Sequence, residues 1–89
     1  MISNRDRLRE VVIDSLLLDP GEFRFDLTRD QVETWDSLGA VALAAAVEDT
    51  FRVHLTPREA DGIRSVPDLV AALTARGVDL DAAADGDAP

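Results

Sequence analysis

The sequence predicts an all-α fold: a small four-helix bundle with three long helices and one short one. Three observations carry this. Apolar residues recur at spacings of three and four in separate stretches. A helix-start signal precedes each stretch: Ser3 with Asp6, Asp36-Ser37, Thr56-Pro57 with Glu59, and Ser65-Val66-Pro67-Asp68. A chain of 89 residues, 46% hydrophobic, supports one domain around one core.

The first helix starts at Ser3 and presents Leu8, Val11, Val12, Ser15 and Leu16 on one face. Arg5, Arg9 and Glu10 fall mostly on the other. Asp19-Pro20-Gly21 is the turn signal that stops it. Residues 19–35 form a long connection in which Phe23, Phe25 and Leu27 alternate with polar residues. An isolated strand has nothing to pair with. The segment is therefore read as a loop that tucks two or three apolar side chains onto the helices. A loop this long in a small domain is usually functional.

The second helix starts at Asp36-Ser37 and turns Ala40, Leu43, Ala44, Val47 and Phe51 inward. Thr56 caps the third, Pro57 sits at its first position, and Glu59 completes a capping box. Gly62 and Ser65 keep it short, with Ala60 and Ile63 as its buried residues. The fourth uses Val66, Leu69, Val70 and Leu73 and ends at Arg76-Gly77. Residues 1–78 are expected to form the folded domain. Residues 79–89 read as an acidic, disordered tail.

Composition excludes several classes of function. Eighteen acidic residues against nine basic ones give a formal charge of −9. Nucleic-acid backbones and anionic membranes both call for a basic patch, so neither is an expected partner. Partners with basic protein surfaces fit better. With no cysteine there is no disulfide scaffold, thiolate metal site or cysteine nucleophile. The charged N-terminus lacks the apolar run of a signal peptide, and a cytoplasmic monomer is expected.

Enzyme constellations are nearly absent. His54 is the single histidine. It and Ser37 lie at opposite ends of one helix, roughly 25 Å apart at 1.5 Å per residue, which excludes a triad. No phosphate loop, zinc spacing or calcium loop is present.

Trp35-Asp36-Ser37-Leu38-Gly39 stands out. Read alone, Asp36-Ser37 is an ordinary cap. Its setting adds a second reading. Ser37 is placed on the first turn of the central helix, after a loop carrying Asp26, Asp30 and Glu33. The helix N-terminus offers backbone N–H groups and a positive dipole end, which favour a phosphodiester at that serine.

Asp36-Ser37-Leu38 resembles the Asp-Ser-Leu signature of acyl carrier proteins. The similarity runs from about residue 5 to residue 76. WDSLGAVALAAAVEDTF resembles the second helix of that family, and LTPREADGIRSVPDLVAAL its third-to-fourth helix region. The resemblance implies that Ser37 carries 4′-phosphopantetheine, added from coenzyme A by a phosphopantetheinyl transferase, and that Asp36 helps present the serine. It implies a partner-reading face of Leu38, Val41, Ala42, Ala45, Glu48 and Asp49. It makes Leu43, Val47, Ile63 and Leu69 candidates for an acyl pocket, although simple core packing also accounts for them. Its implied partners are an acyltransferase or acyl/aminoacyl ligase, and a ketosynthase. The protein is then a carrier and not an enzyme.

Two departures from the fatty-acid form matter. Ala42 stands where glutamate is frequent in the family, and Gly39 where aspartate is frequent. Docking is then expected to rest on apolar contact. Together with Trp35, this points to polyketide or related natural-product biosynthesis. The competing reading is a small acidic helical interaction module in which Ser37 is only a helix cap.

Overall fold

Local capping and one buried stripe on each of three helices organise the protein, whose computed structural model describes residues 3–81. Helix α1 spans Asn4–Leu16. Ser3 Oγ accepts from the Asp6 N–H at 3.2 Å, and Asp6 Oδ2 accepts from the Ser3 N–H at 3.3 Å. This is the expected capping box. Leu8, Val12 and Leu16 are buried, and Val11 packs half-buried against them. The helix ends before the Asp19-Pro20-Gly21 turn. Leu17 takes a left-handed conformation with φ 57°, and the Leu18 N–H returns to Ile13 O at 2.9 Å.

Residues 18–36 form a loop with two 3-10 turns, Pro20–Glu22 and Arg29–Gln31. It buries Phe23 and Leu27, as its alternation implied, and also Val32 and Trp35. Phe25 is partly exposed, edge-on to Phe23 at 4.9 Å and beneath the Arg5 guanidinium at 5.2 Å. The segment does find a backbone partner. Thr28 bridges Ser65 in antiparallel fashion, the Arg29 N–H donates to Arg64 O, and the Val66 N–H donates to Leu27 O, both at 2.8 Å. One rung ties the loop to the α3–α4 link without making a strand.

Helix α2, Ser37–Phe51, buries Ala40, Leu43 and Val47, with Ala44 and Phe51 half-buried. Helix α3, Pro57–Gly62, carries the Thr56–Glu59 capping box. Ile63 is buried just beyond it, while Ala60 is only half-buried. Helix α4, Val66–Ala75, buries Val66, Leu69 and Leu73, with Val70 half-buried. Gly77, at φ 87°, supplies the left-handed residue that follows it. Both α1 and α3 pack on α2, which is therefore the central element. The Cα radius of gyration is 12.2 Å. Among the described residues no helix is long and apolar enough to cross a membrane.

Residues 79–81, expected in the tail, pack onto the fold. Leu80 is buried, its carbonyl accepts from the Arg5 N–H at 2.9 Å, and Asn4 Nδ2 donates to Asp79 O at 2.9 Å. Residues 79–81 thus close over the N-terminus of α1. The remainder of that expected tail, 82–89, lies outside the described residues.

Candidate functional site

The mouth of α2 is set by three anchors. Trp35 is 2% exposed, and its carbonyl accepts from Arg29 Nε at 2.9 Å. Its indole Nε1 is buried with no hydrogen-bond partner among the described residues. Thr34 Oγ1 donates to Leu16 O and so satisfies a carbonyl of the last turn of α1. Gly39 lies against the same threonine. A Cβ at position 39 would come within 2.1 Å of Thr34 O and 3.3 Å of Leu16 Cδ2. Absence of a side chain is what lets α2 approach the loop here.

Of the three residues between Trp35 and Gly39, the first two do separate jobs. Asp36 is the N-cap, with extended backbone, and its Oδ1 accepts from the Gly39 N–H at 2.8 Å. Ser37 is the first helical residue and is exposed. The capping task is therefore already filled by Asp36. The Ser37 hydroxyl stands in solvent beside the first N–H groups of α2, which have no carbonyl within the helix to bond. Such a terminus accommodates a phosphodiester. The residues present fit phosphopantetheine, because the serine is reachable and its surroundings favour a phosphate.

Five of the six residues expected on the partner-reading face are exposed: Leu38, Val41, Ala42, Ala45 and Asp49. Leu38 is 77% exposed and Val41 64%. Glu48 departs from that expectation. Its Oε2 accepts from the Leu55 N–H at 2.7 Å and lies 3.2 Å from His54 Nδ1. Residue 48 sits near the end of α2, where a long carboxylate reaches unpaired N–H groups of the following turn. It closes that turn, and its side chain is only about a third exposed (31%). His54 itself is an exposed turn residue.

Leu43, Val47, Ile63 and Leu69, the acyl-pocket candidates, all belong to one continuous buried core. Carboxylates of the approach loop, Asp26, Asp30 and Glu33, are exposed, and Asp26 pairs with Arg24 at 3.1 Å.

Sequence reasoning missed the roles of Val32, Arg29 and Gly39. Val32 and Trp35 are three apart, which is the signal of one apolar face on a tight turn. The steric role of Gly39 depends on a backbone contact that no local pattern reveals.

Comparison with known proteins agrees with this geometry. The family described as "Phosphopantetheine attachment site" matches residues 6–73. The chain is similar to an acyl carrier protein of Campylobacter curvus (strain 525.92), 32% identical over 65 residues. That alignment spans 73% of this chain and 84% of the relative. It is also similar to an acyl carrier protein of Wolinella succinogenes, 32% identical over 65 residues, spanning 73% of this chain and 86% of that relative. No solved structure matches at a comparable level. Proteins of this family carry 4′-phosphopantetheine, work with phosphopantetheinyl transferases and acyl-handling enzymes, and are carriers without turnover of their own. The chain belongs to the acyl carrier protein family.

Proposed function

We propose that Ser37 is the attachment residue and that this chain carries acyl or aminoacyl thioesters. The observation that carries this is the division of labour at the mouth of α2. Asp36 holds the cap, and Ser37 is left exposed with no structural task. The reading in which Ser37 is only a helix cap loses its basis for the same reason.

In the loading step the Ser37 Oγ attacks the phosphorus of coenzyme A that bears the pantetheine. A new O–P bond forms and the pyrophosphate P–O bond breaks. Adenosine 3′,5′-bisphosphate leaves, and the hydroxyl proton passes to a base of the transferase. Asp36 acts as a positioning residue, because its bond to the Gly39 N–H fixes the turn on which Ser37 is presented. The arm's thiol then holds the cargo as a thioester. This chain has no cysteine of its own to divert it.

Leu38, Val41, Ala42 and Ala45 form an apolar docking face with Asp49 at its edge. The exposed alanine at 42 supports a role in polyketide or related natural-product biosynthesis over housekeeping fatty-acid synthesis. Its partners would be an acyltransferase or an acyl/aminoacyl ligase, and a ketosynthase, in the cytoplasm. Gly39 gives no support to that distinction, since its lack of a carboxylate has a steric cause.

The test is intact mass after incubation with coenzyme A and a broad-specificity phosphopantetheinyl transferase. One phosphopantetheine increment is expected on the native chain and none on Ser37→Ala. An increment retained by the folded variant would refute the assignment.

A further inference from the structure

Arg29 is fixed at three points, yet its charge is left over. Its backbone N–H donates to Arg64 O at 2.8 Å, and its carbonyl accepts from the Val32 N–H at 3.1 Å. Its side-chain Nε donates to Trp35 O at 2.9 Å. That last bond uses one of the five N–H donors of a guanidinium. The two terminal amino groups bond nothing among the described residues and are not buried. No carboxylate among the described residues pairs with them, although Asp30 and Glu33 are near in sequence. Arg5, Arg24 and Arg76, by contrast, each hold an acidic partner. The turn needs only a donor for Trp35 O, which a neutral side chain also supplies. A half-buried and permanently charged group is more than that task requires.

The place of this group suits an anion at the mouth of α2. Trp35 is two residues before Ser37, so the guanidinium is held within about 10 Å of the Ser37 Cα along the chain. A phosphodiester on the Ser37 Oγ adds a negative charge directly beside Asp36, in a chain whose formal charge is already −9. Like charges so close repel. The first N–H groups of α2 answer part of that charge. A guanidinium answers it more directly, because its paired N–H groups match two oxygens of a phosphate.

Resting on the reading of Ser37 as attachment residue, the geometry points to Arg29 as the counter-ion of the phosphodiester, a positioning residue that sets the direction in which the arm leaves the helix. Its Nε stays on Trp35 O while its terminal amino groups donate to the phosphate oxygens. No covalent bond is made or broken. The contact lies at the root of the arm, so it does not depend on the cargo.

The test compares the full chain before and after loading from coenzyme A by a transferase, in native form and as Arg29→Gln, with intact mass confirming each load. Subtracting the unloaded from the loaded melting temperature cancels what the substitution does to the turn itself. At low salt that difference should be about 2–4 °C more favourable in the native chain than in the variant. The ³¹P resonance of the loaded chain should differ between the two, and the Arg29 Nε–H signal of the native chain should move on loading. Salt gives a check that needs no variant, and it decides the matter if Arg29→Gln resists loading. Raising it from about 0.01 to 1 M cuts the Debye length from ~30 to ~3 Å. Attraction by Arg29 predicts that the benefit of loading shrinks as salt rises, whereas unanswered repulsion by Asp36 predicts the opposite trend. An equal melting difference in native chain and variant, an unmoved Nε–H signal or the opposite salt trend would overturn the counter-ion and leave the carrier reading intact. A missing mass increment on the native chain would overturn both readings.

Discussion

At Gly39 helix propensity and packing disagree. Alanine in a helix is favoured over glycine by up to ~1 kcal/mol. Here an added Cβ would meet a backbone carbonyl, Thr34 O, at 2.1 Å. Backbone cannot yield as a flexible side chain would, and overpacking of this kind costs about 1–3 kcal/mol. Gly39→Ala should therefore lower the melting temperature, by several degrees for a domain of this size. A higher melting temperature would mean that α2 can back away from the loop. The resemblance to acyl carrier proteins suggested a lost acidic residue at this position. The contact with Thr34 replaces that reading with a steric one.

Glu59 links another residue to a measurable pH response. Its pKa is lowered from the usual 4.5 to about 2. The chief cause is the Thr56 backbone N–H, followed by the hydrogen bond from Arg76 and that residue's positive charge. A carboxylate shifted downward in the folded state stabilises the fold above its unfolded pKa. That contribution is lost as pH falls from 4.5 toward 2. Glu59→Gln should flatten the acid limb of stability against pH in that window. An unchanged acid limb would remove Glu59 from the account.

At the scale of elements, the helices were legible and the loop only in part. Each helix begins with its own capping residue, and all but the short α3 carry one buried apolar stripe, so period and punctuation both lie in adjacent residues. The 18–36 loop is fixed instead by distant partners: Arg64 and Val66 along one edge, and Leu16 at the other. No local pattern announces such contacts. The same limit explains Glu48. The family resemblance placed it on the outward face, but the Leu55 N–H draws its carboxylate onto the turn. The candidate site was legible where it depends on Asp36 and Ser37, which are neighbours in the chain. Its support by Thr34, Trp35 and Gly39 was not.

The exposed face of α2 makes its own prediction. Leu38 and Val41 stand exposed with Ala42 and Ala45 beside them. If partners read that surface by apolar contact, a carboxylate in its middle must be desolvated on docking. Ala42→Glu should weaken loading by the native acyl-loading enzyme about tenfold, the effect of ~1.4 kcal/mol. It should leave melting temperature nearly unchanged, because residue 42 is exposed. Unaltered loading kinetics would speak against an apolar interface.

At the scale of the whole molecule, the two ends of the described chain meet. Leu80 is buried, and Arg5 both donates its N–H to Leu80 O and pairs with Asp81 at 3.2 Å. The exposed ion pair contributes little. The buried leucine matters more, since replacing such a residue by alanine costs about 2–5 kcal/mol. Leu80→Ala should fall near the lower end, because a terminal segment can detach instead of leaving a cavity. Against a net stability of roughly 5–10 kcal/mol for this length, that loss is readily seen in urea unfolding. An unaltered midpoint would show that residues 79–81 are not part of the cooperative unit.

The central claim is that cargo enters this protein through one hydroxyl, that of Ser37. The sequence makes it directly testable. There is no lysine, and trypsin cutting after Arg29 and Arg52 releases residues 30–52, in which Ser37 is the single serine. Tandem mass spectrometry of the transferase-treated protein should find the phosphopantetheine on that peptide, at Ser37. An increment on a peptide bearing Ser3, Ser15 or Ser65, or no increment on a folded sample, would contradict it.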